Sequence, residues 1–240
     1  MARKPKQPRW YFSLRSPYSW FAYRELTEHY PDVLAAVEWL PYWEPDPRTE
    51  AELAAEGVEL PGVPMSRAKN FYILQDTRRV AKARGWTMTW PIDVDPVWEV
   101  AHIGYLVAAD EGRGREYVDA AYLARWERGE NLSDPAVVAA IARSVGLDGE
   151  RVACAHDDPG WRALAREVLG RGYRDGAFGV PFFVHGFDKF WGTERVREFV
   201  AAVRGVAVAE VDGVPWRGEQ IELPELVRAG GDAGHAGGCG

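Results

Sequence analysis

The chain opens on a short apolar and aromatic run, Trp10-Tyr11-Phe12-Ser13-Leu14, whose length and residue types predict a strand. Ser16 and Pro17 follow. A serine hydroxyl can cap a helix and proline suits the first helical position, so a helix is predicted from Pro17 to about His29, stopping before Pro31. Val37-Glu38-Trp39-Leu40 predicts a second strand, and a strand–helix–strand unit implies a parallel pair.

From Pro45 to about residue 175 the apolar spacing turns helical. Residues 68–84 predict one helix with charges on one face, closed by Gly85. Val97, Val100, Ala101, Gly104 and Ala108 keep the helical period. Ser133-Asp134-Pro135 opens another helix, carried by Val138, Ile141 and Val145 and ended at Gly146, and a further one begins at Trp161. Strand character returns at Pro181-Phe182-Phe183-Val184, turns over 185–188 and comes back as Lys189-Phe190-Trp191, a hairpin. Gly192-Thr193-Glu194 opens a last helix with one apolar stripe, Val196, Phe199, Val200 and Val203. The order is βαβ, a helical block, then ββα. Beyond it, 206–211 predicts an extra strand, 213–216 a turn, and 229–240 a Gly/Ala-rich tail expected to be disordered.

Composition narrows the function. A net charge of −7 argues against nucleic acid as a partner. No apolar run reaches the roughly 20 residues of a membrane span, and the basic start lacks the apolar segment of a secretory signal. The two cysteines, Cys154 and Cys239, form no CxxC pair, and the five histidines show no ligand spacing. No metal is expected, and a reducing, cytoplasmic setting is. The 11 Trp, 10 Tyr and 9 Phe are the unusual feature. Trp20, Trp39, Trp43, Trp86, Trp90, Trp98 and Trp191 fall near segments that could wall a site for a flat aromatic ligand, with core packing the competing use.

Two segments carry candidate chemistry. Ser16-Pro17-Tyr18-Ser19 lies at the strand-one to helix-one junction, where thioredoxin-fold oxidoreductases place Cys-x-x-Cys. Both cysteine positions are serine here, so dithiol exchange has no sulfur to use. The helix N-terminus can still stabilise an anion, and a serine hydroxyl there can donate to a bound thiolate. Gly179-Val180-Pro181 precedes the third strand, where that fold places a cis proline, so Val180-Pro181 is expected to be cis and to offer its backbone to a peptide-like ligand.

Residues 12–21, with SPYSW at their centre, resemble the opening of kappa-class glutathione transferases and 2-hydroxychromene-2-carboxylate isomerases. GVPFFVHGFDKFWGTER, residues 179–195, resembles the closing motif of the same family, and Lys69-x-x-Tyr72-x-x-x-Asp76 is a weaker match. The likeness covers about residues 9–205. It departs from the pattern at Leu40-Pro41-Tyr42-Trp43, Glu59-Leu60-Pro61-Gly62, Asp95-Pro96-Val97 and Glu194.

The resemblance implies an α/β, thioredoxin-like fold with an all-helical domain inserted after the second strand. The thioredoxin-like part would be 8–44 and 176–205, the insertion 45–175 and a C-terminal extension 206–228. It further implies a thiol-dependent isomerase working on an aromatic, conjugated carbonyl compound, using glutathione or another low-molecular-weight thiol such as mycothiol, as a homodimer. Ser16 would meet the thiol sulfur. Val180 and Pro181 would pair with its backbone, Thr193 and Glu194 would hold its γ-glutamyl end, and Lys69 is a looser match to a thiol-binding cation. Tyr18, Trp20, Trp43, Trp90 and Trp191 are the candidate substrate walls. A kappa-type transferase, and a catalytically silent binding protein on the same fold, stay open alternatives.

Overall fold

The computed structural model of this 240-residue chain describes residues 7–62 and 66–211. The expected turn at 213–216, the tail at 229–240 and all but the start of the 206–228 extension lie outside the described residues.

Strand β1, Arg9–Phe12, is buried along its whole length. Helix α1, Pro17–His29, follows, then a short α2, Pro31–Ala36, and β2, Glu38–Pro41. Pro31 ends α1, as expected, but it also supplies the first position of α2. Helices α3 (Pro47–Ala55), α4 (Arg67–Arg84), α5 (Glu99–Asp110), α6 (Gly114–Tyr122), α7 (Pro135–Ser144), α8 (Gly149–Cys154) and α9 (Pro159–Asp175) come before β3, Phe182–His185, and β4, Asp188–Trp191. Helix α10, Val196–Arg204, closes the order behind a 3-10 turn, Thr193–Arg195. The sheet order is β2-β1-β3-β4, with β1 parallel to β2 and antiparallel to β3. This is the thioredoxin-like arrangement with helices inserted between β2 and β3.

Alternation along β1 sends its side chains to two faces. Trp10 stacks on Tyr23 of α1 and on Phe183, and Phe183 in turn stacks on Phe199 of α10. Tyr11 points the other way, to α9, where its hydroxyl meets Asp175 at 2.5 Å. Gly172 of α9 is required there, since a Cβ would lie 2.7 Å from the Tyr42 ring.

The expected strand at 206–211 does not form. Gly205 adopts a left-handed φ of 68° and caps α10, after which Val208–Glu210 makes a 3-10 turn. Val211 is held against α10 by the Arg197 guanidinium, which donates to its carbonyl. The segment therefore packs on a helix and reaches no sheet edge.

The helical block is tied together by a buried guanidinium. Arg162 of α9 donates from Nη2 to both Asp46 oxygens and to Thr49 Oγ1, each at 2.8 Å, and from Nη1 to the His156 carbonyl at 3.0 Å. Asp46 also caps α3 by accepting from the Thr49 N–H at 2.7 Å. Burial opposes its charge, but the Thr49 and Arg162 donors outweigh it and hold the carboxyl below its ordinary range. Arg162→Met should lower the unfolding free energy by about 3–5 kcal/mol, because it strands a partly buried carboxylate. Urea titration reads this directly, and a loss under about 1 kcal/mol would rule out a structural tie.

Candidate functional site

Strand register collects the candidate residues at one end of the sheet. Tyr11 pairs with Phe182 and Phe182 with Trp191, so the chain that runs out of β1, into β3 and out of β4 meets at the same edge. There lie Ser16, Val180-Pro181 and Gly192-Thr193-Glu194. The Gly192 N–H donates to the Pro181 carbonyl at 3.0 Å, and the Thr193–Arg195 turn touches α1.

Ser16 is the N-cap of α1, with extended φ −84° and ψ 121°, and Pro17 takes the first helical position. Its Oγ accepts from the Ser19 N–H at 3.2 Å. That bond uses a lone pair and leaves the hydroxyl proton free to donate. No acidic residue belongs to the first turn of α1 itself, although Asp76 and Glu194 act on Tyr18 in that turn from neighbouring elements.

In the loop before Ser16, Ser13 and Leu14 are buried and their N–H groups are bonded. The Ser13 N–H donates to Ser19 Oγ at 3.2 Å, and the Ser13 carbonyl accepts from the Ser16 N–H at 3.2 Å and from the Tyr122 hydroxyl at 3.2 Å. Leu14 N–H donates to His102 Nε2 at 3.0 Å, and Ser13 Oγ lies 3.1 Å from the same nitrogen. His102 Nδ1 is 2.7 Å from the Trp98 carbonyl, which can only accept. The proton therefore sits on Nδ1 and Nε2 is the acceptor. Burial pushes the His102 pKa down to about 3, with the Arg125 and Arg15 charges adding and the Trp98 carbonyl opposing.

The Val180-Pro181 peptide bond is cis, as expected, and among the described residues the Val180 backbone has no recorded partner. Trp191 stands beside this segment; a Cβ on Gly179 would come within 2.8 Å of its indole nitrogen. Thr193 is buried, Glu194 is exposed, and their side chains lie 3.4 Å apart. Tyr18 is half-buried, and its hydroxyl donates to Asp76 of α4 at 2.9 Å. Burial first, then Asp76, pushes the phenol above its ordinary range, with Tyr72 and Glu194 adding. Those influences bring α4 and the Thr193–Arg195 turn within electrostatic reach of the first turn of α1. Lys69 is half-buried in the first turn of α4, at a helical position that shares a face with Asp76.

Two expected walls lie in the interior. Trp20 is 2% exposed and stacks on Trp126, and Trp43 is 4% exposed and stacks on the His102 ring at 5.0 Å. Both belong to the packed interior, because each large face already has a partner. Trp90, the third, is open to solvent and rests on the edge of Trp126 at 5.6 Å. Much of the tryptophan serves arginine: Arg24 lies over Trp20 and Trp86, and Arg125 over Trp98 and Trp126. Tyr18 and Trp191 remain at the rim.

Sequence reading missed His102, Ser13 and Tyr122. One signal was available for the first: a histidine set inside the small and apolar period of α5, where it must find partners or be destabilising.

A family model for the DsbA-like thioredoxin domain matches residues 9–204. The chain belongs to that family. A 2-hydroxychromene-2-carboxylate isomerase structure superposes with a TM-score of 0.64 at 19% identity, over 82% of this chain and 94% of that one. A probable DsbA oxidoreductase, SCO1869 from Streptomyces coelicolor, gives 0.61 at 18%, over 88% and 93%. The cytosolic disulfide reductase DsbM from Pseudomonas aeruginosa, solved with GSH, gives 0.52 at 15%, over 82% and 94%. The uncharacterized protein YwbO of Bacillus subtilis is 23% identical over 62% of this chain and 72% of its own length. At these identities the structures share the fold. Within this DsbA-like domain, positions 16 and 19 hold serine, and the free cysteine among the described residues is Cys154, exposed at the end of α8.

The neutral, buried His102 makes stability depend on pH. Its folded pKa, about 3, lies below the 6.5 of an ordinary histidine, so between those values the unfolded chain binds the extra proton. Its contribution is complete only well above pH 6.5 and declines as pH falls through 6.5 toward 3. Between about pH 4 and 5.5, where the unfolded histidine is protonated and the folded one neutral, the unfolding free energy should drop by about 1.4 kcal/mol per unit through this group. In His102→Phe that slope should flatten; denaturant titrations of both proteins at several pH values measure it, and equal slopes would refute the assignment.

Proposed function

We propose that the chain is a thiol-dependent isomerase acting on an aromatic, conjugated carbonyl compound, with glutathione or another low-molecular-weight thiol as its cofactor. The observation that carries the reading is the Ser16 hydroxyl. It caps α1 through a lone pair and keeps its proton at a helix N-terminus whose first turn holds no acid.

The residues at the site fit a tripeptide-like thiol. Ser16 would donate to the sulfur, and the helix dipole would favour its anionic form. Val180, whose backbone has no recorded partner among the described residues, would meet the thiol's own peptide backbone. Backbone N–H groups near Thr193 would favour a carboxylate, and the exposed Glu194 an ammonium, with Lys69 available for a second carboxylate. When bound, the thiol adds reversibly to the conjugated system, so that a double bond becomes free to rotate.

Everything else is the protein's part. Ser16 and the α1 N-terminus would hold the thiol ionised near neutral pH. Tyr18 and Trp191, at the rim, would orient a flat substrate. The Tyr18 proton is committed to Asp76, so the phenol oxygen would accept from a substrate hydroxyl. The superposition on a 2-hydroxychromene-2-carboxylate isomerase supports the choice of that compound as the first substrate to try. Disulfide exchange is disfavoured by the two serines, which offer no sulfur at the junction.

Calorimetry with glutathione and with mycothiol tests the cofactor, and turnover of 2-hydroxychromene-2-carboxylate tests the reaction. Ser16→Ala should slow turnover about ten- to hundredfold, the worth of one hydrogen bond to a charged group, and move the pH–rate profile upward. Ser19→Ala should behave differently. It orphans the buried Ser13 N–H, at a cost of about 1–3 kcal/mol in stability, and should shift the profile far less. A Ser16→Ala enzyme with normal rate and an unmoved profile would remove Ser16 from the chemistry.

A further inference from the structure

His102 takes no part in the chemistry proposed above, yet it meets the reaction loop at two points. It belongs to α5, deep in the helical block, and is fully buried. Here the ring splits its bonds. Nδ1–H donates to the Trp98 carbonyl, one turn back along its own chain, while Nε2 reaches across to Leu14 N–H and Ser13 Oγ. Trp43 lies flat on the ring, with 12° between the planes, and fixes its tilt.

From Ser13 the connection to Ser16 is short. Ser13 Oγ accepts from the Arg15 N–H at 3.2 Å, and the Ser13 carbonyl accepts from the Ser16 N–H at 3.2 Å. The extended dihedrals of Ser16, and with them the direction of its hydroxyl, follow from where those atoms are held. We infer that His102 is a positioning residue for Ser16: a neutral imidazole bracket that carries the placement of the β1–α1 loop from the helical block to the reaction centre. The inference rests on the reading of Ser16 as the thiol's hydrogen-bond donor.

The chemistry requires a ring with one donor and one acceptor at fixed separation. Protonation would set an N–H against the Leu14 N–H and remove the acceptor. Burial, together with the nearby Arg15 and Arg125 charges, keeps the ring neutral. A phenylalanine would fill the same space under Trp43 but would leave Leu14 N–H and the second bond of the Trp98 carbonyl unmet. A glutamine could still offer Leu14 an oxygen. An asparagine, one methylene shorter, could serve Trp98 and would fall short of Leu14.

The test is the pKa of protein-bound glutathione, followed by the ultraviolet absorbance of its thiolate across a pH titration. His102→Phe and His102→Asn should raise it by about one unit, the scale of one charge-assisted hydrogen bond, and His102→Gln should restore most of the difference. Arg162→Met, which weakens the helical block without touching the loop, should leave it where it is. His102→Phe and His102→Asn with the wild-type thiol pKa, or an equal shift in Arg162→Met, would overturn the inference. If the wild-type protein binds neither glutathione nor mycothiol, the functional reading fails, and positioning is read instead from amide exchange at Leu14 and Ser16 in the free protein. Faster exchange there in His102→Asn than in Arg162→Met supports the bracket, and equal exchange rejects it. Should His102→Phe fail to fold, His102→Asn against His102→Gln carries the same comparison.

Discussion

A buried loop must find a partner for every backbone group it takes out of water, and the turn between β1 and α1 is such a loop. Ser13 and Leu14 are almost wholly buried, and neither belongs to a strand or helix that would satisfy them by repetition. Their partners come from three helices: Ser19 from α1, His102 from α5 and Tyr122 from α6. Two of these helices belong to the inserted block. The insertion thus supplies hydrogen-bond partners to the strand–helix junction on which the candidate chemistry stands.

The aromatic richness of the chain has a related explanation. Flat side chains suggested a flat ligand, yet Trp86, Trp20, Trp126 and Trp98 form a continuous series with Arg84, Arg24, Arg125 and Arg15, in which Trp20 lies directly on Trp126. Each guanidinium gains a ring face, and Arg125 also reaches both oxygens of Asp93, at 3.0 and 2.8 Å. The stack runs from the end of α4 to Arg15, one residue before Ser16. In the interior this residue type serves packing, while Trp191 stands half-buried beside the Val180-Pro181 segment.

The elements that read clearly in the sequence are those fixed by local rules. Ser-Pro capping, the hairpin and the apolar stripe of α10 each depend on a few adjacent residues, and each is where the pattern placed it. The strand over 206–211 was misread because Val206, Val208 and Val211 have strand-like residue types, whereas pairing depends on a free edge that α10 does not bring within reach. Trp20 and Trp43 were misread for a similar reason: burial is decided by neighbours far along the chain. The period of α5 could mark His102 as a buried histidine in need of partners but not as a neighbour of the β1–α1 loop, because Leu14 is 88 positions away and no spacing rule spans that distance.

The two serines of the junction show how burial divides one residue type between two duties. Ser19 is fully buried, and its oxygen accepts the Ser13 N–H, so its hydroxyl belongs to the framework. Ser16 is half-buried at the mouth of the helix, and the bond it accepts costs it no proton. A cysteine pair at these positions would make one exposed and one shielded sulfur, the asymmetry that dithiol exchange exploits. With oxygen in both places the asymmetry survives and the redox chemistry does not. What remains is a donor at a positive helix end, held from behind by its buried twin, and that arrangement suits a reaction whose sulfur arrives with a ligand.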